Sequence, residues 1–331
     1  MKKKLLYILI FIFIILFQYE FENFLKIKLN RIDVSIIIPI FNSEQFLSQC
    51  LNSLITQSIK RIEILCIDDG STDNSSKILN SFKNHDYRLK VFNQRNKGPA
   101  LARNYGINIS KGKFITFLDS DDLYPNKYTL EFMYKNAIKE KAIICGGGLT
   151  NFMLKKDRIK YNNYTNLLFE RNKIIKFSDY QFDYFYQRFI YNKNFLQKKK
   201  LYFPNYLRYE DPPFFIKAMM IAKNFYALKN ITYLKRSFST YKNWNKSIII
   251  DIFKGIGDCL LICEKYNLNK LYCKILNRLN SKIILFNAKK YIKSKILRES
   301  ILKILKKINS KYFKKSNCIF NKNIFYDLNF N

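Results

Sequence analysis

The chain has 331 residues, 48% of them hydrophobic, and its 59 lysines and arginines against 25 aspartates and glutamates give a formal net charge of +34. Such a hydrophobic fraction excludes a disordered chain, and the length supplies one substantial core with room for a smaller appended unit. The cations are spread along the chain without an arginine-rich tract or a nucleic-acid-binding motif, so a solvated basic surface is expected; nucleic acid is disfavoured as a partner and attraction to anionic membrane stays open.

The chain opens "MKKKLLYILIFIFIILFQYE", a basic start followed by an apolar run from Leu5 to Phe17. As a helix that run reaches roughly 20 Å, short of the ~30 Å hydrocarbon layer. Residues 1–31 are therefore expected to be a membrane-associating segment, interfacial or a short anchor, and no small-residue cleavage site follows it. From Val34 the pattern becomes regular. "VSIIIPIFN" is a continuous apolar run, the signature of a buried strand. Ser43 is placed to cap a following helix on which Phe46, Leu47, Cys50, Leu51, Leu54 and Ile55 recur at helical spacing.

"IEILCIDDG" repeats the scheme, with a buried strand running into Asp68, Asp69 and a turn at Gly70, and "STDNSSKIL" starts a second helix. "LKVFN" reads as a third strand, "PALARNYGINIS" as a helix opened by Pro99, and "KFITFL" as a fourth strand that ends at "DSDD". A helix over about 127–139 and the run "AIICGGG" follow. Alternation at this spacing implies βαβ units, hence a mostly parallel sheet with helices on both faces. Residues 151–209 form an aromatic, basic stretch without a clean period. From Lys242 the chain reads as helices, with Leu297, Ile301, Ile304, Leu305 and Ile308 as an apolar stripe that packs on the main domain; a basic membrane-surface helix is the second reading. The domain division expected is 1–31, 32–240 and 241–331.

Seven scattered cysteines without a C-x-x-C pair indicate neither a zinc site nor a disulfide framework, and a reducing compartment fits them. The single histidine, His85, lies in the polar run "KNHDYRLK" and is expected in an exposed loop. Two-histidine metal chemistry is thereby excluded.

In open α/β sheets ligands sit beyond the carboxyl ends of the strands. Asp68-Asp69 and Asp119-Ser120-Asp121-Asp122 fall at two such ends, predicting two acidic corners of one crevice. A D-x-D step offers hard oxygen ligands to Mg²⁺ or Mn²⁺, which bind through one or two carboxylates plus substrate phosphates, and the cation offsets the mutual repulsion of the acids. Taken alone, the step is equally a solvated loop whose aspartate caps a helix.

Four blocks stand in order: "VSIIIPIFNSEQFLSQCLNSLITQ", "IEILCIDDGSTDNSSKIL", "NKGPALARNYGINISKGKFITFLDSDDLYP" and "YEDPPFF". Together, over about residues 33–240, they resemble family 2 glycosyltransferases of the Rossmann-like GT-A fold, with a helical C-terminal extension appended. The resemblance implies an inverting, metal-dependent transfer of a sugar from a nucleotide-diphosphate donor, a UDP-sugar first among them, to a glycan or lipid-linked acceptor in cell-surface polysaccharide or lipopolysaccharide synthesis. It also implies roles. Pro39 and Phe41 pack beside the base; Phe41 stands where many members have Tyr. Asp69 hydrogen-bonds the base, with Asp68 beside it, although both also suit a turn before Gly70. Arg103 and Asn104, in "LARNYG", lie near the donor, Arg103 meeting a phosphate and Asn104 steadying a loop. Asp121 is the first metal ligand, Asp119 contacts metal or ribose, and Asp122 supports them or caps the next helix.

Glu210 and Asp211 match the family's E-D step, in which the aspartate is the general base. Asp211 before Pro212 and Pro213 is also the pattern of a helix N-terminus, and both readings are compatible. Arg188 or Arg208 is placed to meet an anionic acceptor, and Arg236 with Ser237 resembles a late basic site near the donor phosphates. Nucleotide sugars put the enzyme at the cytoplasmic face of the cell membrane; in a eukaryote the layout reads as a Golgi-type anchor. The competing class is a basic lipid- or nucleic-acid-binding protein on a catalytically degenerate fold of the same kind.

Overall fold

The computed structural model describes Phe17 and residues 31–155, 158–237, 244–308, 311–315, 318 and 320. The expected membrane segment, residues 1–31, lies outside the described residues except for Phe17 and Arg31. Among the described residues no helix is long and apolar enough to cross a membrane.

Strand β1 (Val34–Ile40) is the centre of the amino-terminal half, paired in parallel with β2 (Ile62–Asp68) on one side and with β4 (Phe114–Phe117) on the other. Its β-branched run suits a strand buried on both faces. Pro39 is tolerated because the β1–β4 register ends at Ile37, so its missing N–H falls where that ladder has already stopped. Strand β3 (Leu89–Asn93) completes this half beside β2. The crossovers are helices α1 (Glu44–Ile55), α2 (Ser75–His85) and α3 (Pro99–Ile109), and α4 (Thr129–Lys139) leads into β5 (Ile144–Lys155). Ser43 sits at the start of α1 but does not cap it. Its hydroxyl meets Ser120 Oγ at 2.7 Å, and the Glu44 N–H is instead accepted by Asp73 Oδ2 at 2.9 Å. His85 is exposed as expected, but it closes α2 rather than lying in a loop.

The stretch without a readable period resolves into short pieces: β6 (Arg158–Leu167), β7 (Lys173–Lys176), α5 (Phe177–Tyr180), a 3-10 turn at Tyr186–Arg188, β8 (Phe189–Asn192) and α6 (Lys193–Lys198). After them come α7 (Asp211–Ala222), β9 (Asn224–Arg236) and the helices α8 (Lys246–Tyr266), α9 (Asn269–Arg278), α10 (Lys282–Lys290), α11 (Lys295–Ile308) and α12 (Lys311–Lys315). The strand order is β3-β2-β1-β4-β8-β5-β9-β7, with β6 on β5. Strand β8 inserts antiparallel between β4 and β5, so the sheet is parallel in its first half and mixed beyond it.

Period-2 alternation puts two cores on the two faces. Val34, Ile36, Ile38 and Ile40 join Leu47, Leu51, Leu79 and Met133 of α1, α2 and α4 on one face. On the other, Ile37, Leu65 and Ile67 join α3, α7 and the carboxyl-terminal helices. The stripe Leu297, Ile301, Ile304 and Ile308 is buried in that second core with α11 against α8, so the packed-helix reading holds. One expectation fails: Cys273 and Cys318 form a disulfide across 45 residues, at a Cα separation of 5.2 Å. Nothing in their spacing signals it, because packing of the chain end against α9 brings the two together. The five other cysteines are free and buried.

The carboxyl-terminal helices grip the loop that precedes α7. Arg278 of α9 pairs with the fully buried Asp183, donates to Tyr209 Oη at 2.8 Å and lies 4.1 Å over the Tyr184 ring. Asp251 Oδ2 accepts from Leu207 N at 2.8 Å, and Asp258 Oδ2 accepts from Tyr206 Oη at 2.8 Å. A buried carboxylate that loses its partner costs several kcal/mol. Arg278→Met is therefore expected to lower unfolding stability by about 3–5 kcal/mol, read as a fall in urea midpoint with unchanged slope; a loss below about 1 kcal/mol, the level of an exposed pair, would show that the ion pair carries no such weight.

Candidate active site

The carboxyl ends of β1, β2 and β4 open on one edge of the sheet, as the sequence implies. A cleft of about 390 Å³ lies there, lined by Arg103, Asp119, Asn151, residues 184–187, residues 208–211 and Lys235. It brings together five of the expected residues, Arg103, Asp119, Arg208, Glu210 and Asp211. Pro39, Phe41, Asp68, Asp69, Asn104 and Asp121 lie outside its lining.

Arg103 on α3 organises the cleft. Its guanidinium donates to Asp119 Oδ1 and to Glu210 Oε1, both at 2.8 Å, and thus ties the end of β4 to the start of α7. It is buried, and its charge lies 5.5 Å and 5.4 Å from the ring centres of Tyr186 and Phe203. Those rings belong to an aromatic cluster with Phe117 and Phe214, in which Phe203 stacks on Phe214 at 3.9 Å. The arginine expected at a donor phosphate thus spans two acids. Asn104, one residue on, donates to Phe203 O at 2.8 Å and accepts from Phe203 N at 2.9 Å, which fixes the loop before Glu210.

The three clustered aspartates have three different surroundings. Burial works to raise the Asp119 carboxyl pKa, but the Arg103 guanidinium outweighs it and holds the group below the usual range; its Oδ2 also accepts from Gln187 Nε2 at 2.9 Å. Asp122 is buried and accepts from Tyr233 Oη at 2.6 Å and Arg236 N at 2.7 Å, so it pins the end of β9 rather than capping α4. Asp121 has no side-chain hydrogen-bond partner among the described residues, and burial together with the charge of Asp119 pushes its pKa up to about 6. Asp211, at the first residue of α7, is likewise unpaired, and burial and the adjacent Glu210 charge push it up to about 7. The residue before Glu210, Tyr209, sits in the left-handed region at φ 69°, as does Phe185 at φ 65°. For bulky residues that backbone costs of order 1–2 kcal/mol, and the Arg278–Tyr209 contact helps to hold it.

At the neighbouring corner both aspartates are buried and hydrogen-bonded, Asp68 to its own loop and Asp69 to the loop after β3. Asp68 accepts from Ser71 N and Ser76 Oγ. Asp69 accepts from Gln94 Nε2 at 2.7 Å, Lys97 N at 2.8 Å and Gly98 N at 2.7 Å. Gly98 has φ 90°, a conformation that L side chains rarely adopt, and its N–H opens α3 toward that carboxylate. Phe41 is 46% exposed at the end of β1, with Pro39 half-buried behind it.

Other expectations need correction. Arg188 is fully buried among Phe169, Tyr180, Phe182 and Phe189 and donates to the carbonyls of Gly147 and Leu167, so it meets no acceptor. Arg236 is turned to Gln49 Oε1 and Asp121 O, and Ser237 N donates to Phe152 O. The residue of β9 that faces the cleft is Lys235, which has no ion pair among the described residues, lies 5.4 Å from the centre of the Phe185 ring and lowers the pKa of Asp119, Asp121 and Asp211. Strand alternation would have separated 235 from 236 had the strand been recognised. Gln187 gave no sequence signal.

Among the described residues no group of three or more His, Cys, Asp or Glu converges on a point. The acids nonetheless suit a divalent cation of the magnesium kind, which takes one or two carboxylates and completes its shell with substrate phosphate and water: Asp121 is an unpaired, hard oxygen donor raised in pKa by its surroundings.

The family model described as "Glycosyl transferase family 2" matches residues 35–203. Over 250 residues the chain is 30% identical to the glycosyltransferase GlyG of Streptococcus pneumoniae, covering 69% of this chain and 81% of that protein. It is 30% identical over 197 residues to the poly(ribitol-phosphate) beta-glucosyltransferase of Bacillus spizizenii, covering 57% of this chain and 30% of that protein. The structure superposes on S. aureus TarS 1–349 in complex with UDP-GlcNAc with a TM-score of 0.66 at 21% identity, over 84% of this chain and 81% of that one.

Removing the guanidinium tests the geometry. Arg103→Met leaves the half-buried Asp119 beside Glu210 without a cation, so the Asp119 pKa rises, and an acid whose folded pKa is raised loses native stability as pH climbs through it. The variant is expected to be destabilised by roughly 3 kcal/mol, with a larger loss at pH 8 than at pH 5 in paired urea titrations. A loss independent of pH would show that packing, not charge, is what Arg103 supplies.

Proposed function

The chain belongs to glycosyl transferase family 2 and carries the GT-A fold, and from that premise we propose that it transfers a sugar from a nucleotide-diphosphate donor, first a UDP-sugar, to a hydroxyl of a glycan or lipid-linked acceptor with inversion at the anomeric carbon. The observation that carries this reading is Asp211: an unpaired carboxylate held up to about 7 in a cleft shared with Asp119 and Lys235.

Asp211 takes the proton of the acceptor hydroxyl as that oxygen attacks the anomeric carbon. The new C–O bond forms as the bond to the leaving phosphate breaks, and the electron pair departs with the nucleotide diphosphate. A pKa near the working pH makes the carboxylate a better base than an ordinary aspartate while keeping a large fraction of it ionised. Glu210 and Arg103 hold the start of α7, and so the Asp211 carboxylate, against the end of β4. Asp121, with Asp119 beside it, would hold Mg²⁺ or Mn²⁺, which when bound offsets charge on the departing diphosphate. Lys235 adds a fixed positive charge on the same side. Phe41 and Pro39 offer an apolar face for the base, and Asp69 steadies the loop through residues 94–98 that borders it.

The acceptor belongs to cell-surface polymer synthesis at the cytoplasmic face of the membrane in this reading. Support comes from the B. spizizenii relative, named for a poly(ribitol-phosphate) acceptor, and from the apolar run of residues 5–17. The binding of UDP-GlcNAc by TarS supports the donor class.

Release of nucleotide diphosphate from a panel of UDP-sugars, with and without Mn²⁺, tests the transfer. Asp211→Asn is expected to lower kcat by about 10²–10⁴-fold with unchanged unfolding. Because the base works only as the carboxylate, wild-type kcat/KM should fall as pH drops below about 7; a rate flat from pH 8 to pH 5 would remove Asp211 from the role. Asp121→Asn should abolish the Mn²⁺-dependent gain in UDP affinity in calorimetry, and a gain equal to wild type would take the metal away from that residue.

A further inference from the structure

The sheet edge opposite the active site carries a second cleft, also of about 390 Å³, into which Arg31, Lys111, Lys113, Lys193 and Asn194 face. It lies where β1 and β4 begin, so the length of the strands separates it from the catalytic edge. Three chain segments build it. Lys113 N donates to Ile32 O at 3.1 Å, and Lys193 N donates to Lys113 O at 3.0 Å, which holds the bases of the side chains together. Between the two lysines of the turn, Gly112 is pressed against β1: its N–H meets Ser35 Oγ at 2.8 Å, and a Cβ there would lie 2.5 Å from Ser35 N. That close approach fixes the backbone between Lys111 and Lys113, both of which are exposed.

The acids nearby are already taken. Asp33 is engaged by Arg61 at 2.8 Å and Tyr134 Oη at 2.6 Å, with Arg31 only at 4.0 Å. Glu63 is engaged by Lys90 Nζ at 2.8 Å, Ser35 Oγ at 2.7 Å and the Lys111 backbone N–H at 2.6 Å. Among the described residues, the ammonium groups of Lys111, Lys113 and Lys193 have no acidic partner and no carboxylate lines the cleft. Several like charges held around one concavity call for an anion with several acceptor oxygens.

We propose that this cleft binds the phosphate of an anionic lipid headgroup and seats the amino-end edge of the sheet on the bilayer. The bilayer is favoured over a free phosphate because Arg31 follows the apolar run ending at Phe17 by 14 residues, a tether of at most about 50 Å. The inference rests on the membrane-face reading above and is independent of the transfer chemistry. It holds the catalytic edge off the lipid surface by about the length of β1, roughly 23 Å, where it meets an acceptor that projects from the membrane.

Flotation of the full chain with phosphatidylcholine vesicles, with and without phosphatidylglycerol, tests it at matched ionic strength. Phosphatidylglycerol should tighten wild-type binding. Lys111→Gln with Lys113→Gln should weaken that increment by about 5-fold per charge, roughly 25-fold in all, while Lys77→Gln with Lys83→Gln, an equal charge loss on α2, leaves it intact. Equal losses in both pairs, or none in the first, would overturn the site; so would the absence of any phosphatidylglycerol increment while inorganic phosphate binds the soluble chain in calorimetry, which would make free phosphate the ligand. Transfer to a soluble acceptor without lipid should be unchanged in the Lys111/Lys113 variant, so failure of the docking site and failure of the transferase reading are told apart.

Discussion

Arg103 holds one positive charge between two negative ones that come from distant parts of the chain. Asp119 ends β4 and Glu210 opens the turn into α7, 91 residues later in the sequence. Without a cation between them, the buried Glu210 and the half-buried Asp119 would repel each other with little water to screen them. The guanidinium suits the place because it offers two separate donor edges and a flat face for the rings of Tyr186 and Phe203. The relation between the two ends of the cleft follows from that bridge, and so does the place of Asp211.

The acidic run after β4 persists because its members do not share an environment. Asp119 is neutralised by Arg103, and Asp122 is spent on Tyr233 and Arg236 N at the end of β9. That leaves Asp121 as the single acid of the three without a fixed partner. The same division recurs at the other end of the cleft, where Glu210 is paired and Asp211 is not. In each run, the paired carboxylates build the site and one neighbour has no fixed partner among the described residues. The charge of Lys235 lowers the pKa of both free acids.

The carboxyl-terminal helices belong to this site as much as to the core. Through Arg278, Asp251 and Asp258 they hold residues 183–209 in a backbone that Phe185 and Tyr209 would otherwise avoid. The sheet thus has a cleft at each of two edges, an acidic one at the strand ends backed by α8 and α9, and a basic one at the strand starts next to residue 31.

From the sequence alone, the parallel half of the fold was legible, because continuous apolar runs alternate with amphipathic helices between Val34 and Gly146, and strand direction then puts every acidic corner on one edge. Asp119 falls at such a corner, whereas Glu210 and Asp211, beyond that half, could be named only through the resemblance of their motif to the family's E-D step. The mixed half was not legible, since strands of four residues such as β7 and β8 are too short to show a period and are defined by the neighbours they pair with. Nor could residue types tell which cations meet the cleft. Arg103 bridges acids, Arg188 is buried among rings, Arg236 turns away and Lys235 faces in; a side chain's partner is set by which segments pack together, and only the tertiary structure decides that.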